Sequence, residues 1–167
     1  VLNQDHATVT MVSKALEEVR VMSKALHPEV LEKLGLTASI QKIINDADEA
    51  TDIFFSEEIT AIDGIFSKDH ELQIYRIAQE AVNNIIKHAQ TESALISVQN
   101  EKKKVTILIQ DYGIGFDITE NSKAITSLGM KTLKERTQIL GGKMIIDSTK
   151  GNGTRIFLEL DKPFTNG

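Results

Sequence analysis

The stretch from residue 68 to residue 89 dictates more about the architecture than any other part of the sequence. Apolar residues repeat along it at helical spacing, with no glycine or proline to interrupt them. The pattern predicts one amphipathic helix from Lys68 to Ala89. Its apolar members are Ile74, Ile77, Ala78, Ala81, Val82, Ile85, Ile86 and Ala89. A face this wide has to be buried against a second layer of structure.

Strand patterns predict that second layer. Runs of strand-forming residues occur at 51–59, 93–100, 105–111, 143–148 and 154–160. Further helices are predicted at 37–50 and at 129–140, with Gly141-Gly142 as a left-handed cap. The glycine-rich turn at 150–153 joins the last two strands as a hairpin. Because the strands cluster in pairs, we expect an α+β fold with helices on one face of a sheet, not alternating βαβ units.

The first 27 residues predict a separate long helix. It ends before Pro28, because proline disfavours helical geometry in the residue that precedes it. The apolar residues of its face include Val9, Val12, Leu16, Val19 and Leu26. Such a face suits a helical bundle with another chain, and packing on the chain's own core is the alternative. Since the sequence begins at Val1 and not at methionine, we expect a fragment of a longer protein.

Composition excludes several classes of function. The 167 residues carry a net charge of −5, whereas a general nucleic-acid-binding surface needs a basic footprint. The chain has no cysteine, so disulfides and thiol chemistry are excluded. No stretch approaches the roughly 18 apolar residues of a membrane span. We therefore expect no nucleic-acid partner, no membrane contact by this fragment and a cytoplasmic location, and the alternative of a membrane anchor stays open for the full-length protein.

A polar stripe accompanies the apolar one on the predicted helix 68–89. Glu80, Asn84 and His88 recur every four residues, and Lys87 lies beside them. A hydrated helix face is the alternative, but Asn83 and Asn84 in succession are costly within a helix unless they have another role. An asparagine carbonyl oxygen suits Mg²⁺, and a glutamate can accept a proton. This stripe is therefore a candidate phosphate and metal site.

Three later features could complete such a site. Asp111 ends a strand and is followed by the glycine-containing turn 112–115, where a carboxylate can accept a hydrogen bond from an exocyclic amine. Residues 127–130 lie at the start of the predicted helix 129–140, and the free backbone N–H groups at a helix N-terminus attract phosphate. Thr154 begins the last strand and offers a hydroxyl. Each feature alone also fits an ordinary turn or cap, and no GxxxxGK[ST] phosphate loop is present.

The order and spacing of these four features resemble the GHKL ATPase superfamily, which includes histidine kinases and DNA gyrase B. The corresponding segments are QEAVNNIIKHA (79–89), DYGIGFD (111–117), SLGMKTLKERTQILGG (127–142) and GNGTRIFLEL (151–160). The resemblance implies a Bergerat-type two-layer α/β sandwich with a mixed sheet and helices on one face. It also implies that ATP and Mg²⁺ are bound.

Within that superfamily the sequence most resembles short-lid histidine kinases of the nitrate-sensor and membrane-fluidity-sensor type. LHPEVLEKLGL (26–36) is similar to the segment that joins their dimerisation bundle to the catalytic domain. The resemblance implies three parts: the second bundle helix and linker at 1–35, the ATP-binding domain at 36–163 and a tail at 164–167.

The family's roles transfer to this sequence position by position. On the phosphate side, the resemblance implies that Asn84 ligates Mg²⁺, that Glu80 positions or deprotonates the attacking group, and that Lys87 and His88 lie near the phosphates. On the base side, it implies that Asp111 binds the adenine amine. The base pocket is completed by Gly115 and Thr154, Gly113 gives the turn flexibility, and Ser127, Leu128, Gly129 and Met130 form a mobile lid.

The resemblance implies a sensor histidine kinase that transfers the γ-phosphoryl group of ATP to a histidine on its own bundle. It also implies a homodimer formed through the N-terminal helix and a response regulator as partner. His6 and His27 do not match the family's phosphoacceptor, so we expect the acceptor on a bundle helix before Val1. Ser127 and Thr132-Leu133 depart from the family's lid. A non-catalytic nucleotide-gated module and an anti-sigma-type serine kinase are the alternatives.

Overall fold

A computed structural model of the protein describes residues 28–118 and 128–163. The predicted helix at 1–27 and the predicted tail lie outside those residues. In chain order the elements are α1 (Glu29–Ala50), β1 (Phe54–Ile59), α2 (Lys68–Asn84), a π-helical segment (Ile85–Ala89), β2 (Ser93–Asn100), β3 (Lys104–Asp111), α3 (Leu128–Ile139), β4 (Lys143–Ser148) and β5 (Thr154–Asp161). The five predicted strands are therefore all present.

The strands form one mixed sheet in the order β1-β2-β3-β5-β4. β1 runs parallel to β2, and the crossover between them contains α2, as a parallel pair requires. The other three pairs are antiparallel. The predicted α+β class is confirmed, with a single βαβ unit at the start of the sheet.

Aliphatic side chains stack in registered rows on the face of the sheet that meets the helices. The rows Ile96–Ile109–Ile156 and Val98–Ile107–Leu158 run across β2, β3 and β5, and all six residues are 5% exposed or less. The next row on the same face, at the strand ends, is polar and comprises Asp111, Thr154 and Ser148. The polar row therefore lies where the apolar core ends, beside the C-terminal part of α2.

α1 begins earlier than the sequence predicts. Residues 29–34 are already helical, and Leu31 is buried in the core. Gly35 then breaks the helical geometry with φ 79° and ψ 174°. The helix restarts at Thr37, whose backbone N–H donates to Asp63 Oδ1 at 3.1 Å. The break lies where we predicted the linker to end, and the division of the chain at residue 35 stays a prediction.

The cap on this restarted helix predicts a pH-dependent stability effect. Burial acts to raise the pKa of Asp63, but the hydrogen bonds from Thr37 and nearby backbone outweigh it and hold that pKa below its ordinary value of 3.8. The stabilisation by Asp63 is therefore fully present at a pH above its ordinary pKa, and it is lost as the pH falls through the lowered pKa of the folded chain. Asp63→Ala should lower the free energy of unfolding by about 1 kcal/mol near neutral pH.

Urea denaturation of parent and variant, near neutral pH and again at about pH 3, measures this effect. The difference should shrink at the acidic value. Asp52→Ala is the control, because Asp52 is exposed. An equal loss in both variants would contradict the capping role of Asp63.

The helix predicted over 68–89 is present but changes its winding near the end. It starts at Ser67, whose Oγ accepts from the backbone N–H of His70 at 3.3 Å. From Ile85 to Ala89 the winding is π-helical, and Gln90 ends it in the left-handed region. The amino-acid composition of Ile85–Ala89 does not predict the change from α-helical to π-helical winding. Short π-helical turns within α-helices are frequent at functional sites. In the part of the chain that the structure describes, no helix has the length and apolar character of a membrane span.

Candidate functional site

A cavity of about 460 Å³ lies between the end of α2 with its π-helical segment and the polar ends of β3 and β5. This volume falls in the range of small-molecule sites. Its lining comprises Glu80, Ala81, Asn84, Ile85, Lys87, His88, Ala89, Ile109, Asp111, Gly115, Phe116, Gly129, Met130, Thr154 and Ile156. The structure therefore brings nine of the predicted site residues together around one space.

Asp111 forms the deep end of the cavity and is 5% exposed. One carboxylate oxygen, Oδ1, accepts the backbone N–H groups of Gly113 at 2.9 Å and Thr154 at 3.3 Å. Burial raises the pKa of Asp111, while these two hydrogen bonds act to lower it. Both bonds fix the same oxygen, so the second one is left to accept a donor from a ligand.

Gly113 lies next to the cavity, behind Asp111. It does not line the cavity, and its backbone N–H holds Asp111 from behind. A Cβ at this position would overlap the backbone oxygen of Ala89. That oxygen accepts the N–H of Ile114 at 2.8 Å. Close approach of two backbones therefore requires a glycine at this position, and the predicted flexibility of the turn stays a prediction.

The phosphate side of the predicted site lies on α2 and its π-helical segment. Lys87 and His88 are exposed and line the cavity, and Glu80 and Asn84 are half-buried. The Nδ2 atom of Asn84 is buried without a hydrogen-bond partner among the described residues. A buried donor of this kind costs free energy unless a ligand or solvent satisfies it. The Asn84 amide is therefore not committed to holding the fold together.

The predicted lid is described only in part, because Ser127 lies outside the described residues and the side chain of Leu128 is not described. Leu128 begins α3. A Cβ on Gly129 would overlap Glu80 Oε1 and would lie 3.5 Å from Asn84 Oδ1. Met130 is 8% exposed and packs in the core. This side of the predicted lid is therefore anchored to the domain.

The donor set at Asn84 fits the Mg²⁺ that the resemblance implies. Mg²⁺ is usually held by one or two protein oxygens together with substrate phosphates and water, without a full protein cage. Within residues 28–118 and 128–163, no cluster of three histidine or acidic residues has metal-binding geometry. The Asn84 Oδ1 atom, which lies near the Glu80 carboxylate, would suit the sparser kind of site, while the unpartnered Nδ2 atom would be free to donate to a phosphate oxygen or to water.

Sequence reasoning missed the apolar walls of the cavity and one buried hydroxyl. Ile109 and Ile156 lie in adjacent strands and form a flat apolar surface beneath the polar row, and Phe116 closes one side. Ser148 is buried in the polar row, within hydrogen-bonding distance of Thr154. Phe116 and Ile156 fall within the segments 111–117 and 151–160, but only strand register shows that these side chains reach the cavity.

Residues 69–163, more than half of the chain, match the family described as Histidine kinase-, DNA gyrase B-, and HSP90-like ATPase. The chain is 32% identical over 150 residues to the signal transduction histidine-protein kinase/phosphatase DegS of Brevibacillus brevis. That alignment covers 90% of this chain and 38% of the relative. The chain is also 27% identical over 150 residues to the sensor histidine kinase ComP of Bacillus subtilis, in an alignment that covers 90% of this chain and 20% of that relative. The chain thus spans well under half the length of these relatives.

The fold is similar to that of a histidine kinase domain from the blue-light activated histidine kinase of Erythrobacter litoralis EL346. The TM-score is 0.66 at 16% identity, and the match covers 75% of this chain and 60% of that chain. The matched segment 69–163 holds every described residue of the predicted site, from Glu80 to Thr154. The chain therefore belongs to the histidine kinase-, DNA gyrase B- and HSP90-like ATPase family, as a nucleotide-binding domain of the histidine kinase type.

Proposed function

We propose that this domain binds Mg-ATP and transfers its γ-phosphoryl group to a histidine on the dimerisation bundle of a sensor histidine kinase. The observation that supports this most is the pairing of two unlike ends in one cavity. Asp111 at the deep end presents an acceptor for an adenine amine. Asn84, Lys87 and His88 at the other end present an uncommitted amide and exposed basic side chains for phosphates.

In this proposal the chain's residues act mainly by positioning and by charge. Adenine lies against Ile109 and Ile156 with its amine on Asp111. The acceptor imidazole nitrogen attacks the γ-phosphorus, the bond to the bridging oxygen breaks, and ADP leaves. Glu80 has no hydrogen bond or ion pair among the described residues, and it accepts the proton that the imidazole loses. Asn84 would hold Mg²⁺, which would neutralise negative charge on the phosphates.

The partners of this reaction are proposed from the relatives, one named a signal transduction histidine-protein kinase/phosphatase and the other a sensor histidine kinase. The acceptor histidine belongs to a bundle helix, the helix at 1–27 contributes to a homodimer, and a response regulator receives the phosphoryl group. The reaction takes place in the cytoplasm. These proposals concern the longer protein, because this chain covers 38% and 20% of the two relatives.

Asn84→Ala is expected to remove the Mg²⁺-dependent part of ATP binding. The substitution deletes the proposed metal ligand and improves helix propensity, so the fold is retained. Titration calorimetry with and without Mg²⁺ measures the effect. Asn83→Ala is the matched control, because Asn83 is exposed and does not line the cavity. If Asn84→Ala bound Mg-ATP like the parent, the metal assignment would be wrong.

Glu80→Gln is expected to leave ATP affinity nearly unchanged and to slow phosphoryl transfer about 10²- to 10⁴-fold, the usual contribution of a general base. The amide keeps the shape of the side chain but cannot take the proton. Single-turnover transfer from radiolabelled ATP to the bundle histidine measures the rate. Equal losses of affinity and rate would instead indicate a binding role for Glu80.

The function itself is tested by supplying the acceptor in trans. The 167-residue chain is mixed with a separately produced dimerisation bundle that carries the histidine, together with γ-labelled ATP. We expect label on the bundle and none on this chain alone. Saturable ATP binding without transfer would favour a nucleotide-gated interaction module. Label at His6 or His27 would overturn the assignment of the acceptor to another helix.

A further inference from the structure

Ser148 lies at the end of β4, in the polar row beside the cavity, and it is not among the predicted site residues. It is buried, and its hydroxyl oxygen makes three contacts. The backbone N–H of Phe116 donates to it at 2.9 Å, Gly153 offers a carbonyl oxygen at 2.9 Å, and Thr154 Oγ1 lies at 3.0 Å. A buried hydroxyl with three partners has only one proton to give.

The directions of these hydrogen bonds follow from what each partner can do. A carbonyl oxygen only accepts, so the proton of Ser148 goes to Gly153. The N–H of Phe116 only donates, so it takes one lone pair of Ser148. The remaining contact is satisfied only if Thr154 donates its own proton to Ser148. The Thr154 hydroxyl then has lone pairs, and no proton, to offer to the cavity.

Two side-chain acceptors therefore meet at the deep end of the cavity. Asp111 contributes a carboxylate oxygen, and Thr154, its neighbour across β3 and β5, contributes the lone pairs of its hydroxyl. A purine with an amine at position 6 can donate one N–H to Asp111 and the other to Thr154. A base that carries a carbonyl there would place a third acceptor against the first two, and buried acceptors without donors are unfavourable.

We propose that Ser148 is a specificity-determining residue that fixes Thr154 as a hydrogen-bond acceptor and so favours a 6-amino purine over a 6-oxo purine. The inference rests on the proposed function, because it takes the base to lie against Asp111. Ser148 does not line the cavity, so it acts through the orientation of Thr154 and not by touching the nucleotide.

ATP and inosine triphosphate test the inference. They differ in the amine or carbonyl at this position of the base, and also at the adjacent N1, which accepts a hydrogen bond in adenine and carries a proton in the 6-oxo base. A Thr154 hydroxyl that faced N1 would shift the preference in the opposite direction, and that result would overturn the inference. Their affinities are measured on the 167-residue chain by competition against a fluorescent ATP analogue. Ser148→Ala frees the Thr154 proton to donate to the carbonyl. The preference for ATP over inosine triphosphate should fall about three- to tenfold, as the change of one hydrogen bond allows.

A double-substitution cycle separates this effect from a general loosening of the site. Thr154→Val removes the hydroxyl, so in that background Ser148→Ala should leave the preference unchanged. Ser148→Cys keeps nearly the same volume with a weak hydrogen-bonding group, and it serves if the alanine variant does not fold. The preference of the Ser148→Cys variant for ATP over inosine triphosphate should also be lower than that of the parent.

The outcomes distinguish the inference from the proposed function. A reduced preference that depends on Thr154 supports it. Equal losses of both affinities, with the preference unchanged, would show that Ser148 only holds the fold and would overturn the inference alone. Absence of ATP binding by the unsubstituted chain would overturn the proposed function and the inference together.

Discussion

Asp111→Asn should weaken ATP binding by a factor of roughly 10 to 150 and should also stabilise the nucleotide-free chain. The loss corresponds to about 1.5–3 kcal/mol, the range for a hydrogen bond to a charged group. Asparagine keeps the oxygen that accepts the N–H groups of Gly113 and Thr154. It replaces the second carboxylate oxygen by an NH₂ group, which faces the adenine amine donor to donor.

The gain in stability follows from the raised pKa of Asp111. Burial lifts that pKa above the ordinary value of 3.8, so the folded chain binds more protons than the unfolded chain between the two values. The free energy of unfolding therefore falls as pH rises through this window, and the loss persists at neutral pH. Asp111→Asn removes the titrating group, so its advantage over the parent should be present near neutral pH and should disappear in strong acid.

Calorimetry of ATP binding and urea denaturation without nucleotide measure the two effects. Asp147→Asn is the control, because it makes the same charge change at an exposed position outside the cavity. We expect Asp111→Asn to weaken ATP binding and to raise the free energy of unfolding, and we expect Asp147→Asn to change neither. A variant that bound ATP as tightly as the parent would remove Asp111 from the base site.

Gly153→Ala should lower the free energy of unfolding by about 2–5 kcal/mol. Gly153 has φ 73°, which costs an alanine about 1–2 kcal/mol. A Cβ there would also overlap the backbone oxygen of Asp111 and lie 3.0 Å from the nitrogen of Gly113. Relieving such an overlap adds about 1–3 kcal/mol. The same movement would displace Asp111, so ATP binding should fall as well.

Gly151→Ala provides the matched control within the same hairpin. Gly151 has φ 83°, but a Cβ there meets no atom within 4 Å. Its cost should be limited to backbone strain of about 1–2 kcal/mol, with ATP affinity unchanged. Thermal or urea unfolding of both variants gives the comparison. Equal costs at the two positions would show that the contact between the turn and Asp111 is unimportant.

The sequence predicted those parts of the fold that depend on local periodicity. The apolar stripe of α2 and the alternation in the strands were sufficient to place every element except the start of α1 within a few residues. The π-helical winding after Asn84 was not predictable, because the residues from Ile85 to Ala89 continue a helical composition. The early start of α1 was also missed, since a helix that breaks at Gly35 and restarts at Thr37 depends on Asp63 from a distant loop.

The site shows the same division. Residues with unusual chemistry for their position, such as Asn84 in mid-helix and Asp111 at a strand end, could be found from the sequence. Ser148 could not, because its three hydrogen bonds exist only once β4 is in register with β5 and the loop at Phe116 has closed on them. The flat surface of Ile109 and Ile156 likewise requires strand pairing.

Titration calorimetry of ATP into the 167-residue chain, with Mg²⁺ and then without it, tests the central claim most directly. That claim is that one cavity holds the base at Asp111 and the metal-bound phosphates at Asn84. We predict saturable binding of one nucleotide per chain, weakened when Mg²⁺ is removed. No saturable binding, or binding indifferent to Mg²⁺, would contradict the account.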